Sequence, residues 1–123
     1  MKQVISTPNA PAALGTYSQA IVANGMVFAS GQLGINPATG ELPADFVGQA
    51  TQSLKNVSAI LEAAGATFDN VVKVTVFMSD MANFAALNEV YAKYYSSDCP
   101  ARAAFAVKGL PLGALVEIET IAV

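Results

Sequence analysis

The spacing of the apolar residues changes at Asp45, and this change constrains the fold more than any other feature of the chain. Before Asp45, segments 17–23 and 26–33 are separated by Asn24-Gly25, the strongest short signal for a β-hairpin. From Asp45 to Ala64 apolar residues recur at spacings of three and four, and Gly65 supplies the stop signal of a helix. The apolar helical positions are Val47, Ala50, Leu54, Val57, Leu61 and Ala64.

The second half of the chain alternates between strand and helix patterns. The β-branched run 71–79 predicts a strand, and Asp80 or Asn83 is predicted to cap a second helix. The apolar stripe of that helix is Phe84, Leu87, Tyr91 and Tyr94. Segments 101–107 and 115–122 are expected to close the chain as a hairpin.

With Val4-Ile5 as a short first strand, the predicted order is β-β-β-α-β-α-β-β. Both helices can then cover one face of a single sheet, which is an α+β layer architecture. The length predicts one domain over residues 1–123.

The charged residues are few for a soluble domain. They form 12% of the chain, against roughly 25% in typical domains, so we expect an apolar contact between copies of the chain. The net charge of −3 argues against nucleic acid as a partner. A membrane is not expected either, because no apolar run approaches the ~18 residues of a spanning helix. The chain starts without the apolar stretch of a signal peptide, so we expect a cytoplasmic location.

The chain has no histidine, no tryptophan and one cysteine, which excludes most routes to catalysis, and its only arginine is Arg102. A guanidinium stays charged and binds a carboxylate through two parallel hydrogen bonds. Because Arg102 stands among small residues in a strand-like segment, we interpret it as a carboxylate-binding residue. An ordinary surface or ion-paired arginine is the alternative.

Strand alternation predicts one polar face on the sheet. If Val72, Phe105 and Val107 face the helices, the charged side chains share the opposite face. That face would carry Arg102, Glu117, Glu119, Lys73, Thr75, Val71 and Phe77. Its simplest interpretation is a solvated face, but small residues beside Arg102 leave room for a ligand or a second subunit. A one-residue slip would separate Arg102 from Glu117.

Six motifs, in order, resemble the RidA branch of the Rid family of reactive-intermediate deaminases, also called YjgF or L-PSP. They cover essentially the whole chain and are GTYSQA at 15–20, SGQLG at 30–34, NPATGE at 36–41, VKVTVF at 72–77, NEVY at 88–91, and PARAAF at 100–105 with its following Leu110-Pro111 and Val116–Glu119.

This resemblance implies a chorismate-mutase-like fold, in which two helices lie on one face of a sheet and three subunits form a trimer with a central barrel. It also implies hydrolysis of enamines and imines, such as 2-aminoacrylate and 2-iminobutanoate, to 2-oxo acids and ammonia. The reaction would take place in clefts between subunits, without a cofactor or a metal.

The resemblance also assigns roles to individual residues. Arg102 matches the arginine that binds the substrate carboxylate, and Glu117 matches the glutamate associated with the hydrolytic water. The cleft would further be lined by Tyr17, Ser30, Gly31, Asn88 and the backbone of Ala104. Thr16 and Ala103 depart from the usual proline and serine of the family.

Two other functions remain open at this point. The same cleft could serve a non-catalytic module that binds or senses 2-oxo acids, because binding and catalysis would share Arg102. Ribonuclease activity or inhibition of translation is a historical label of the family. It is disfavoured by the acidic charge, the absence of histidine and the single arginine.

Overall fold

The computed structural model describes residues 1–123 as six strands and two α-helices. The elements are β1 (Gln3–Ile5), β2 (Ala20–Ala23), β3 (Met26–Leu33), α1 (Phe46–Ala63), β4 (Val71–Met78), α2 (Phe84–Tyr91), β5 (Ala101–Ala106) and β6 (Val116–Ala122). This is the predicted order of elements and the predicted α+β class. No helix in it combines the length and the apolar character needed to cross a membrane.

Helix α1 forms where the apolar spacing predicts it. Asp45 occupies the N-cap position with an extended backbone, and Gly65 follows the helix with a φ of +79°, a left-handed conformation that glycine adopts readily. The buried side chains include Ala50, Leu54, Val57, Ile60 and Leu61. Val47, predicted on the apolar stripe, is exposed instead.

The six strands form one mixed sheet in the order β1-β2-β3-β6-β4-β5. Strands β2 and β3 form the predicted hairpin, with Asn24 and Gly25 both at positive φ. The predicted hairpin of the last two strands is wrong. Strand β6 lies between β3 and β4, antiparallel to both, while β5 pairs with β4 in parallel at the sheet edge. The central position buries the larger apolar residues of β6, whereas the alanine-rich β5 has little to bury.

Buried polar side chains of α1 hold the irregular end of β3. One extra residue enters β3 between Ala29 and Gln32, which forms a β-bulge opposite β6. Ser53 Oγ donates a hydrogen bond to the Gln32 carbonyl oxygen at 2.7 Å, and Asn56 Nδ2 donates to the Ile35 carbonyl oxygen at 2.9 Å. These contacts fix the backbone that follows the bulge.

The register of β5 differs from the predicted one. Arg102 pairs with Val74 and Ala104 pairs with Val76, and the two valines are fully buried beneath the helices. Because paired residues point to the same side of a sheet, Arg102 faces the helices. The prediction that Arg102 faces away from the helices is therefore wrong.

Phe105 takes the opposite side, also against the prediction. It pairs with Phe77, and the two rings pack edge to face with their centroids 5.5 Å apart. A second bulge, at the start of β4, exchanges the predicted sides of its first two side chains. Val71 is therefore buried and Val72 is 40% exposed. The rest of the predicted polar face is confirmed, because Glu117 and Glu119 pair with Phe77 and Thr75 on the side of the sheet opposite the buried Val116 and Ile118.

Candidate active site

A cavity of about 760 Å³ opens on the side of the sheet away from the helices. Its walls come from the loop before β2, from the bulge of β3 and from the start of β6. Four predicted site residues line it, namely Tyr17, Ser30, Gly31 and Glu117, and Glu119 joins them. Four of the seven predicted site residues therefore meet in this cavity.

Gly31 lies directly against the Glu117 side chain. A β-carbon at Gly31 would lie 2.8 Å from Glu117 Cδ and 3.1 Å from its Oε2. Any side chain at this bulge position would therefore displace the carboxyl group. The absence of a side chain at residue 31 lets the carboxyl rest on the β3 backbone.

The surroundings of Glu117 favour its protonated form. Burial raises the pKa of the Glu117 carboxyl, and the neighbouring negative charge of Glu119 raises it further. A carboxyl group with a raised pKa keeps its proton to a higher pH than an ordinary carboxyl group, which suits it to donate and accept a proton during a reaction. The arrangement is suited to general acid–base chemistry.

The hydroxyl group of Ser30 is already engaged inside the subunit. Ser30 Oγ donates a hydrogen bond of 2.6 Å to the carbonyl oxygen of Ser18, and the Ser30 amide donates to the Gln19 carbonyl oxygen at 2.9 Å. Since a hydroxyl group has one proton, Ser30 can meet a ligand only as an acceptor. It can receive an N–H group but cannot donate to a carboxylate.

Gln19 orders the loop that precedes β2. Its buried side chain accepts a hydrogen bond from the Thr7 amide at 2.6 Å. Its Nε2 lies within hydrogen-bonding distance of the carbonyl oxygens of Thr7, Ala10 and Pro11. This network anchors the segment leading to Tyr17, whose ring is half-exposed on the rim of the cavity.

The other predicted site residues form a separate cluster on the helix side of the sheet. Arg102 Nη1 donates a hydrogen bond of 2.9 Å to Asn88 Oδ1 on α2. Ala104, two residues further along β5, packs against the core on the same side. One subunit therefore presents Glu117 and Arg102 on opposite faces of its sheet.

Two aromatic residues near Arg102 were not predicted as site residues. The Arg102 Cζ atom lies 4.8 Å from the centroid of the Tyr91 ring and 5.6 Å from that of Phe84. The spacing of Phe84, Asn88 and Tyr91 by four and three residues could have indicated their shared helix face. From the sequence, Phe84 and Tyr91 are instead assigned to the apolar stripe of α2.

Leu14 and Leu112 were also missed. Both side chains are exposed on the rim of the cavity, and Leu112 adopts a left-handed conformation with φ of +59°. No sequence pattern marks a leucine for that conformation. No group of three or more histidine, cysteine, aspartate or glutamate side chains is arranged to hold a metal ion.

Comparison with known proteins agrees with the motifs. Residues 7–123 match the pattern that defines the family described as endoribonuclease L-PSP. A 2-iminobutanoate/2-iminopropanoate deaminase of Capra hircus is 51% identical over 124 residues, which cover 100% of this chain and 90% of that protein. The chloroplastic Reactive Intermediate Deaminase A of Arabidopsis thaliana is 52% identical over 122 residues, covering 98% of this chain and 65% of that protein.

The fold is also that of solved structures. A crystal structure of E. coli TdcF with bound serine matches with a TM-score of 0.95 and 44% sequence identity. The match covers 98% of each chain.

Proposed function

This chain belongs to the endoribonuclease L-PSP family, and from that premise we propose that it is an imine deaminase. It hydrolyses imines and enamines that carry a carboxylate, such as 2-iminobutanoate and 2-aminoacrylate, to 2-oxo acids and ammonia. The observation that carries the proposal is the Glu117 carboxyl group, which lines the cavity, rests against Gly31 and has a raised pKa. Deaminase names among relatives of about 50% identity support the same reaction.

The reaction needs little beyond orientation and proton transfer. A 2-imino acid protonated on nitrogen is electrophilic at its C2 carbon. Water attacks that carbon, loses a proton and forms a carbinolamine, whose nitrogen takes up a proton and leaves as ammonia while the hydroxyl group releases its proton to solvent. The C2–N bond is replaced by a C2=O bond, so one water is consumed for each 2-oxo acid and ammonia released. Glu117 takes the proton from the water and returns it to the leaving nitrogen.

Two further residues bind the substrate in this proposal. The guanidinium of Arg102 binds the carboxylate through two parallel hydrogen bonds. Ser30, whose own proton is held by the Ser18 carbonyl, accepts a hydrogen bond from the imine nitrogen. Tyr17 on the rim and Asn88 beside Arg102 complete the cleft.

The complete cleft forms between subunits of a homotrimer. Arg102 and Glu117 face opposite sides of one sheet, so a site that uses both residues takes them from two different subunits. Phe28 and Phe105, each 43% exposed, lie on the open face of the sheet and favour its burial in an assembly. Light scattering at micromolar concentration is expected to give three times the subunit mass, and a stable monomer would contradict the proposed cleft.

The cytoplasmic location remains a prediction. One relative carries the description chloroplastic in its name, so members of the family are not confined to one compartment.

The main alternative is a binding module without turnover. E. coli TdcF, whose structure has bound serine, is a relative that holds a small amino acid. A module of this kind would bind 2-oxo acids through Arg102 but would not need a carboxyl group with a raised pKa against Gly31. RNA cleavage, which the family description names, is disfavoured by the net charge of −3.

Turnover distinguishes the two functions. A threonine dehydratase can generate 2-iminobutanoate in the presence of semicarbazide, which traps the imine as an adduct. The protein is expected to divert the imine to 2-oxobutanoate and to lower the yield of the adduct. The control is the Glu117→Gln variant at equal concentration. Adduct yields that both proteins leave at the level seen without protein would favour the binding module.

A further inference from the structure

Helix α2 directs three side chains at the only arginine of the chain. Phe84, Asn88 and Tyr91 are spaced by four and three residues, which places them on one side of α2. Arg102 reaches this side from β5, and its guanidinium meets the Asn88 amide oxygen and the two aromatic rings. The single hydrogen-bond partner of the guanidinium is thus a neutral side chain.

The contact with Tyr91 is the closer of the two aromatic contacts. Arg102 Cζ lies 4.8 Å from the Tyr91 ring centroid and 5.6 Å from the Phe84 ring centroid. Both distances fall within the ~6 Å over which a ring attracts a cation. Only one of the five N–H donors of the guanidinium is used, by Asn88. The remaining donors are free to bind a carboxylate.

The hydroxyl group of Tyr91 does not contribute to this contact through a hydrogen bond. The Tyr91 hydroxyl is buried and has no hydrogen-bond partner. Burial raises the pKa of Tyr91 to about 12, although the positive charge of Arg102 acts in the opposite direction. The residue is therefore neutral near pH 7, and its ring is the part that interacts with Arg102.

We propose that Tyr91 is a positioning residue for Arg102, whose ring fixes the guanidinium while Asn88 holds one of its N–H groups. A guanidinium held in this way loses less conformational freedom when a carboxylate arrives, so binding is stronger than with a mobile arginine. Phe84 supports the same position from a longer distance. The identity of the carboxylate as that of a 2-imino acid rests on the proposed function, but the contact itself exists in the free protein.

The contact can be measured without any activity, because Arg102 is the only arginine. In an NMR spectrum of ¹⁵N-labelled protein, the guanidinium N–H signal belongs to one residue and needs no further assignment. A ring facing the guanidinium should shift this proton signal upfield of its position in the unfolded chain. A signal at the unfolded position in the folded wild-type protein would overturn the proposal.

Two substitutions separate the ring from the hydroxyl group. Tyr91→Phe keeps the ring and should retain the upfield shift, whereas Tyr91→Leu should lose it. Tyr94→Leu is the matched control, because Tyr94 contacts the Phe68 ring with centroids 5.2 Å apart and Arg102 is not its partner. An unchanged shift in a folded Tyr91→Leu protein, or an equal loss in the Tyr94→Leu control, would contradict the proposal.

Binding provides the second measurement. Tyr91→Leu should weaken 2-oxobutanoate binding by about tenfold, as expected for loss of a partly desolvated cation–π contact. In imine hydrolysis it should raise KM by a similar factor and leave kcat within about threefold. Tyr91→Phe should keep both the 2-oxobutanoate affinity and the KM at their wild-type values. Equal losses in the two variants would assign the role to the hydroxyl group and overturn the proposal.

The two proposals can fail separately. If the wild-type protein binds 2-oxobutanoate but hydrolyses no imine, the deaminase function fails and the NMR and binding measurements still decide the role of Tyr91. Should Tyr91→Leu fail to fold, Phe84→Leu replaces it, with a smaller expected change in shift and affinity because that ring is more distant. No change in the Phe84→Leu protein would then count against an aromatic contact.

Discussion

Arg102 and Glu117 occupy opposite faces of the same sheet. Arg102 is paired with Val74, which points into the core, whereas Glu117 is paired with Phe77, which points to the open face. The backbone of the sheet lies between the two side chains. A substrate that touches both residues must therefore bridge two copies of the chain.

Subunit mixing tests this relationship. Arg102→Ala and Glu117→Gln proteins should each be nearly inactive, but their mixed assemblies should regain activity. After unfolding and refolding of a 1:1 mixture, about a quarter of the clefts in a cyclic assembly combine an intact Arg102 with an intact Glu117. Imine hydrolysis should recover to about that fraction of the wild-type rate. No recovery in verified mixed assemblies would mean that the two residues do not share a cleft across subunits.

Glu117→Gln should separate catalysis from binding. Glutamine keeps a similar shape but cannot accept and return a proton, so kcat should fall by about 10²–10⁴. Affinity for 2-oxobutanoate, measured by calorimetry, should change far less because Arg102 still holds the carboxylate. If Glu117 serves only to orient other groups, affinity and turnover will decrease together.

Arg102→Lys should be nearly as damaging as Arg102→Ala. Lysine keeps the positive charge but loses the planar pair of donors that fixes a carboxylate, and it also loses the contact with the flat face of Tyr91. Loss of a charged hydrogen bond costs about 1.5–3 kcal/mol, which is roughly tenfold or more in kcat/KM. Near-native kinetics of the lysine variant would show that charge alone is sufficient.

The stability of the protein should depend on the ionisation of Glu117. Burial raises the pKa of this carboxyl above its ordinary value of 4.5, so the folded state binds the proton more tightly than the unfolded state. The favourable contribution is complete below the unfolded pKa and is lost as pH rises through the folded pKa. Glu117→Gln should therefore melt at a higher temperature than the wild-type protein at pH 7.

This difference in melting temperature should disappear below about pH 4, where Glu117 is protonated in both the folded and the unfolded wild-type protein. Melting curves at equal subunit concentration over pH 3–8 provide the comparison. Glu119→Gln is the control, since it removes the neighbouring charge and should reduce the slope only in part. A constant difference between Glu117→Gln and wild type at all pH values would contradict the raised pKa.

Two glycine substitutions should have different consequences. Gly31→Ala places a methyl group 2.8 Å from Glu117 Cδ, which belongs to a side chain that can move, so activity should fall while the fold persists. Gly34→Ala places a methyl group against the backbone of Gln49 in α1, which cannot move without displacing the helix. The second variant should lower the melting temperature strongly. Equal losses of melting temperature in both variants would indicate that Gly31 has only a packing role.

The sequence predicts the elements better than it predicts their pairing. In β6, Val116 and Ile118 alternate with Glu117 and Glu119, so that only one register buries the apolar pair. In β5, alanines occupy both sides and Phe105 is the only large apolar residue. Local pattern therefore does not decide which way that strand faces.

The pairing of β5 with β4 determines which way the side chains of β5 face. Its parallel alignment with β4 places Arg102 beside Val74 and packs Phe105 on Phe77. The motifs identify Arg102 and Glu117 individually, but the side of the sheet that each occupies depends on contacts distant in sequence. The bulges in β3 and β4 are likewise fixed by neighbouring strands. Gly31 inside β3 is a residue type that signals a bulge, whereas Val72 in β4 gives no such signal.

The Gln19 side chain, which engages Thr7, Ala10 and Pro11 together, gives the loop before β2 an all-or-none character. The backbone groups that it satisfies become unpaired at the same moment when that side chain leaves. The loop should therefore open as one cooperative unit, and the Thr7 amide, which donates to Gln19, should exchange its hydrogen only when that unit opens.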